Sequence, residues 1–226
     1  MKNSTPYYTI AVLGGTGNAG PGLARRWAQA GHHVIIGSRQ AEKAQRVAAE
    51  LNAELGDALL TGLPNAEAAR VCDVAVLTVP YAAQNALLES LKASLQGKVL
   101  INVTVALKPP KVTRAYIPPE GSASEQAQAI LGTGVQVVAA FQNVGAHNLA
   151  DPHQPVNCDV LVCGDKKAAK AIAIRLAEDL GTRGLDAGPL VNSKIVEGLT
   201  SVLIGINIRY KVPGAGIRIT GLPGKE

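Results

Sequence analysis

The sequence predicts an α/β protein built on a parallel sheet with helices on both faces. Two observations carry that expectation. Apolar runs without polar alternation, TIAVLGG (9–15), HVIIGSR (33–39), DVAVLTVP (73–80) and KVLINVTVAL (98–107), alternate with segments of helical spacing. Such runs are strands buried on both faces, and their alternation with helices gives right-handed crossovers between parallel strands. The first run also opens directly onto Gly15-Thr16-Gly17-Asn18-Ala19-Gly20, a G-x-G-x-x-G turn. The fold class is a Rossmann-type doubly wound parallel sheet, followed by a small C-terminal α/β domain.

The elements follow in order. GPGLARRWAQAG (20–31) has helical spacing and stops on Gly31, a residue suited to a helix C-terminus. HVIIGSR is the second strand, and AEKAQRVAAELNAEL (41–55) is a helix rich in Ala, Glu and Lys. YAAQNALLESLKASL is helical between the strands at 73–80 and 98–107. Four prolines between 107 and 121 predict a loop. SASEQAQAILG follows as a capped helix, since Ser122 stands three residues before Glu125. VQVVAAFQNV (135–144) is the last strand of the main sheet. A strand (158–164), the helix KKAAKAIAIRLAEDLG, a long apolar helix at about 191–210 and the Gly-rich GAGIRITGLPG complete the chain. A boundary near 150 separates a dinucleotide-binding part (1–150) from a smaller part (151–226).

Composition narrows the function. With 47% hydrophobic and 17% charged residues among 226, the chain can bury a core, which excludes wholesale disorder. Aromatic residues make up 3%, too few for a single-stranded nucleic-acid stacking platform. The net charge of +5 is mild and suits anionic small molecules, and no basic helix or RNA-reading motif is present. MKNSTPYYT lacks the apolar core of a signal peptide, and Glu197 and Asn207 interrupt the apolar stretches, so neither secretion nor a membrane span is expected. Cys72, Cys158 and Cys163 are scattered and odd in number, which fits buried thiols in a reducing cytoplasm.

The glycine turn has a specific physical use. Gly15 permits the tight turn, Gly17 lets the backbone approach a pyrophosphate, and Gly20 allows close packing of helix on strand. The helix N-terminus supplies free N–H groups and positive potential. The second strand ends in Gly37-Ser38-Arg39, with Lys43 one helical turn later and no acid to accept from a ribose 2′-hydroxyl. Ser38, Arg39 and Lys43 suit a 2′-phosphate, which points to NADP(H).

No general acid stands out. His32 and His33 lie between helix and strand and His153 lies in DPHQP, all read as exposed surface residues, while His147 follows the sixth strand. There is no Tyr-x-x-x-Lys pairing, no Ser-His-Asp constellation and no metal-ligand cluster. Hydride exchange between two redox rings needs little acid–base help; the protein has to hold the rings face to face and exclude water. Thr78-Val79-Pro80, Asn102–Val105 and Gln142–Ala146 fall at strand C-terminal ends and are small, apolar or neutral, as that task requires.

Over essentially its whole length the chain resembles the coenzyme F420-dependent NADP reductases. The resemblance rests on LGGTGNAGPGLA, IIGSRQAEKA, CDVAVLTVPY, GSASEQAQ, CDVLVCGD, LDAGPLVNSKIVEGLT and GINIRYKVPGAGIRITGL. It implies NADP(H) and coenzyme F420 (an 8-hydroxy-5-deazaflavin) as cofactors, a homodimer, and a deazaflavin cleft between the two parts of the chain. It places Thr16 to Ala19 on the pyrophosphate, Ser38, Arg39 and Lys43 on the 2′-phosphate, and Val79, Pro80, Ala83, Val105 and Ala146 along the rest of NADP. It places Gln142, Asn143, Val144 and Gly145, with Gly214, Ala215, Gly216 and Ile217, on the deazaflavin. Some relatives carry a His-Thr-Ile-Pro-like stretch where this chain has Gln142–Gly145, so an amide replaces a histidine. Glycines 214 and 216 are expected to let backbone N–H groups approach the ring.

The expected activity is reversible hydride transfer between NADP(H) and coenzyme F420, with no catalytic acid or base. Two other readings fit parts of the sequence: an NADPH-dependent reductase of a flavin, imine or metal chelate, and a non-enzymatic NADPH-sensing module. The basic excess sits in two segments. Residues 20–50 hold Arg25, Arg26, Arg39, Lys43 and Arg46 against two acids, and 205–226 hold Arg209, Lys211, Arg218 and Lys225 against one. These segments are expected to face the 2′-phosphate and the anionic deazaflavin tail.

Overall fold

Every residue of the first strand, β1 (Thr9–Leu13), is buried except Thr9, which is half-buried, because β1 lies inside the sheet with a core on each face. Ile10 and Val12 enter one core and Ala11 and Leu13 the other, following the two-residue repeat of a strand. The structure, a computed structural model, describes residues 7–222 apart from His153.

The further strands are β2 (His33–Ser38), β3 (Leu60–Pro64), β4 (Val74–Leu77), β5 (Val99–Asn102), β6 (Gln136–Ala139), β7 (Val160–Gly164) and β8 (Gly184–Asp186). They form one sheet in the order β3-β2-β1-β4-β5-β6-β7-β8. The first six run parallel; β7 is antiparallel to β6, and β8 is parallel to β7. Strand order reverses between β1 and β4, the position where such sheets open a ligand crevice.

Helices α1 (Gly20–Gln29), α2 (Ala41–Leu55) and α7 (Lys167–Glu178) cover one face. Helices α3 (Asn65–Val71), α4 (Tyr81–Leu91) and α5 (Ala123–Leu131) cover the other. A short α6 (Ala146–Ala150) and the long α8 (Ser193–Tyr210) complete the set. Trp27 and Phe141, both fully buried, meet edge to face at 5.6 Å. Trp27 Nε1 donates to Leu176 O at 2.9 Å, so one side chain ties α1 to the end of β6 and to α7. The expected cap is present: Ser122 Oγ accepts from Glu125 N at 2.9 Å.

Several expectations need correction. β3 and α3 lie in a stretch read as neither strand nor helix, because LTGLP contains a glycine and a proline and shows no clean apolar run. Gly62 is needed there: a Cβ would lie 2.3 Å from the Ala44 backbone of α2. The strand expected through 107 stops at Asn102, whose Oδ1 accepts from Thr104 N at 3.1 Å and turns the chain. The strand expected through 144 stops at Ala139, and Phe141 adopts φ 70°. His32 is not a surface residue but 1% exposed. Its Nδ1 accepts from Tyr8 N at 3.0 Å, and its Nε2 lies 2.9 Å from Asp179 at the end of α7, a partner 147 residues away. His33 is exposed, and His153 lies outside the described residues.

Candidate functional site

The turn after β1 is built from backbone hydrogen bonds. Gly15 N donates to Val12 O (3.0 Å) and Gly37 O (2.9 Å), and Gly17 N donates to Gly14 O (3.1 Å). A Cβ on Gly15 would meet Val12 O at 2.6 Å, and one on Gly20 would meet Gly15 O at 2.4 Å. Those two glycines therefore serve the turn and the packing of α1. A Cβ on Gly17 would meet nothing nearer than 3.5 Å, so its bareness leaves room on the cavity side. The residue with positive φ is Gly14 (72°), outside the six-residue motif, and its N–H donates to Asn65 Oδ1 at 3.1 Å. Helix α1 begins at Gly20 with no side-chain cap and no acid in its first turn, which leaves its N-terminal amides and dipole for an anion.

A cavity of about 1030 Å³ opens beside this turn. It gathers Thr16, Gly17, Ser38, Arg39, Lys43, Val79, Pro80 and Ala83 of the expected NADP contacts. Its far wall is α4, through Ala82, Ala86, Leu87 and Ser90, and Asn65 and Gln40 also line it. Sequence reasoning missed these six; for Ala86, Leu87 and Ser90 the signal was their spacing of three, four and seven residues from Ala83 along one helix face. Among the described residues no carboxylate lines the cavity, and its basic end carries Arg39 and Lys43, both exposed. Gly15, Asn18, Ala19, Gly20, Val105 and Ala146 are not part of its lining. Val105 is nonetheless held close to Val79, since Thr104 Oγ1 donates to Val79 O at 3.0 Å.

The residues expected around the deazaflavin also come together. Asn148 N donates to Gly145 O (2.9 Å), and Asn148 Nδ2 donates to Gly214 O (3.3 Å). Asn143 Nδ2 donates to Asp159 O (2.6 Å), and Asp159 N donates to Ile217 O (2.7 Å). Ala215 N donates to Asn207 Oδ1 on α8 (2.8 Å). The two glycines of the tail, however, are filled by the protein itself. A Cβ would lie 2.0 Å from Asn148 Oδ1 at Gly214 and 2.5 Å from Cys158 Cβ at Gly216. Close packing of the tail accounts for the lack of a side chain at both.

Two buried acceptors end this region without a partner. Gln142 Nε2 donates to Asn102 O (2.7 Å), leaving Gln142 Oε1 unbonded, and Asn143 Oδ1 is likewise unbonded among the described residues. Because each amide nitrogen faces a carbonyl oxygen, the orientation of each carboxamide is fixed. A buried acceptor without a donor is costly, so the pair fits a ligand that brings N–H groups. Phe141, just before them, holds a left-handed φ that a non-glycine residue rarely adopts.

Arg25 and Arg26, counted above toward the 2′-phosphate, are engaged elsewhere. Arg25 donates to Leu149 O and Ala150 O and pairs with Glu54 at 2.8 Å. Arg26, 6% exposed, donates to Asn148 O (3.2 Å), Asp151 O (2.5 Å) and Gln154 O (2.8 Å). They cap the carbonyl end of α6, where cations are favoured. His147 is exposed on α6.

The chain is 44% identical over 221 residues to the F420-dependent NADP reductase of Methanocaldococcus jannaschii, covering 94% of this chain and 98% of the relative. It is 46% identical to the F420-dependent NADP reductase of Methanothermobacter marburgensis, covering 95% and 99%. The chain belongs to the F420-dependent NADP reductase family. Within it, the profile "NADP oxidoreductase coenzyme F420-dependent" matches residues 9–106. The crystal structure of a candidate F420-dependent NADP reductase from Arthrobacter sp. FB24 superposes with a TM-score of 0.78 at 26% identity, covering 94% of this chain and 99% of that one. The family's expected fold, a Rossmann-type sheet with helices on both faces, is the one observed.

Proposed function

We propose that this reductase exchanges a hydride reversibly between NADP(H) and coenzyme F420. The carrying observation is the acid-free, basic-ended cavity at the sheet's switch point, in a chain similar end to end to reductases of that name. Ser38, Arg39 and Lys43 bind the 2′-phosphate, and the amides of Thr16 to Ala19 take the pyrophosphate. Val79, Pro80, Ala83, Val105 and Ala146 line the path toward the nicotinamide. Gln142 to Gly145 and Gly214 to Ile217 receive the deazaflavin, with Gln142 Oε1 and Asn143 Oδ1 as acceptors for its N–H or that of the nicotinamide amide. The chemistry supplied by the bound pair is hydride transfer from ring to ring, so the protein's part is orientation, exclusion of water and fixed dipoles. Residues 1–150 form the NADP-binding part and 151–226 complete the deazaflavin cleft.

Two further assignments belong to this proposal. A homodimer is supported by Val191, Ile195 and Val202, exposed large apolar residues in the 3-10 turn before α8 and on α8, four and seven residues apart. A cytoplasmic location is supported by three free thiols. Among the described residues no helix is long and apolar enough to cross a membrane.

The test is anaerobic loss of the oxidised deazaflavin absorbance on adding NADPH. Turnover with NADPH and much slower turnover with NADH is the expected result. No turnover of F420 with either nucleotide, by protein that binds NADPH, overturns the assignment.

A further inference from the structure

Glu197 interrupts the apolar face of α8 and is 3% exposed. Its Oε2 accepts from Ala123 N (2.9 Å), and its Oε1 accepts from Ser124 N (3.0 Å) and Ser124 Oγ (2.8 Å). The backbone of Ala106 makes a further hydrogen bond to it. None of these partners is a basic side chain. The carboxylate is met by the free amides that open α5, where an acceptor of negative charge is favoured. Burial pushes its pKa up, and the four hydrogen bonds pull against that rise.

The contacts continue from Glu197 and return to its own helix. Asn102 Nδ2, at the end of β5, donates to Ser124 Oγ at 3.3 Å. Gln142 Nε2 donates to Asn102 O at 2.7 Å. Thr200 Oγ1, three residues beyond Glu197 on α8, donates to Gln142 O at 2.9 Å. Ser124, Asn102 and Gln142 are all buried. A carboxylate that only fastened α8 to α5 would need no path to the loop after β6. Here both the amide nitrogen and the main-chain oxygen of Gln142 are held by that path, which leaves Oε1 as the unbonded polar atom of its side chain.

We propose that Glu197 is a positioning residue: through Ser124 and Asn102 it sets the placement of the Gln142 carboxamide against the deazaflavin. This rests on the reading that residues 142–145 contact that ring. Ser122 Oγ and Ser193 Oγ, 2.7 Å apart, join α5 to α8 independently, so the two helices keep one tie when Glu197 is altered. The cavity that takes NADP has no Glu197, Ser124 or Asn102 in its lining.

The test compares Glu197→Gln, Ser124→Ala and Gln142→Ala in the full chain. Glu197→Gln keeps the size but turns an NH₂ toward the α5 amides, donor against donor. The readouts are Kd for oxidised F420 by fluorescence titration without nucleotide, Kd for NADPH, KM and kcat for both, and thermal midpoint. In Glu197→Gln, Kd and KM for F420 rise about tenfold while the NADPH values stay at wild type. Ser124→Ala shifts F420 binding in the same direction by less. A lower midpoint with wild-type F420 constants in Glu197→Gln overturns the proposal, leaving a structural anchor. If Glu197→Gln does not fold, wild-type F420 constants in Ser124→Ala overturn it. If Gln142→Ala weakens F420 binding and the other two do not, the site stands and the positioning role fails. If Gln142→Ala leaves F420 binding unchanged, the contact reading falls and the proposal with it.

Discussion

The Asp159 carboxylate receives both prongs of the Arg183 guanidinium, Nε at 2.8 Å and an Nη at 2.7 Å, and the Ile219 N–H donates to the same group at 2.7 Å. Burial opposes the charge of Asp159, but Arg183 and the Ile219 amide outweigh it and hold its pKa below the usual carboxylate value. The stabilisation from such a group is complete above the unfolded value of about 3.9 and is lost as pH falls through the lower folded value. Arg183→Ala is therefore expected to be less stable than wild type at about pH 7, with the gap closing below about pH 4. Urea denaturation across that range measures it. Because Arg183 also donates to Ile219 O, the proposed deazaflavin contacts of the tail lead to the expectation that the variant has a raised KM for F420.

At the basic end of the cavity, Arg39→Ala removes a charged donor from the proposed 2′-phosphate site. Hydrogen bonds to charged groups are worth roughly 1.5–3 kcal/mol, so KM for NADPH should rise roughly tenfold to a hundredfold. KM for NADH should hardly move. Steady-state kinetics with both nucleotides checks this, and equal shifts for the two would remove Arg39 from the 2′-phosphate site.

Trp27 is the one tryptophan of the chain and is fully buried against Phe141. Trp27→Ala leaves a large void and an unpaired Leu176 carbonyl, with an expected cost of about 3–5 kcal/mol. Denaturant unfolding followed by circular dichroism gives the value. In the wild type the same tryptophan reports unfolding by fluorescence.

Cys158 and Cys163 are buried, and burial pushes each thiol up to about 11. Burial raises Cys72 as well. At about pH 8 only on the order of one part in a thousand of Cys158 or Cys163 is thiolate. Native protein should react slowly with a thiol reagent, and denatured protein should release all three cysteines to it. Fast labelling in the native state would contradict the buried placement.

The parts legible in the sequence are those set by neighbours along the chain. The glycine turn follows its strand and opens its helix, and Ser38, Arg39 and Lys43 lie within six residues, so local spacing was enough to bring them to one cavity. The Ser122 cap was readable for the same reason. What stayed hidden depends on distant partners. Asn65 reaches Gly14 across 51 residues, and His32 is buried by Asp179 across 147. Glu197 reads as a break in an apolar helix until the amides of α5 are placed against it. Glycines 214 and 216 looked like open backbone because Asn148 and Cys158 are not near them in sequence.

Reversal of β7 has a consequence for how acceptor choice can change. An antiparallel β7 delivers its beginning, at Asp159, to the edge where the parallel strands deliver their ends. The seam is narrow, with Val138 facing Gly164 and Ala139 facing Cys163. The later third of the chain is thus joined to the sheet by few main-chain bonds while contributing Asp159 and the tail to the site. On the proposed assignment, most nucleotide contacts precede β6 and the acceptor contacts follow it. Chimaeras joined within β6 are the natural way to move acceptor preference between relatives while leaving nucleotide preference in place.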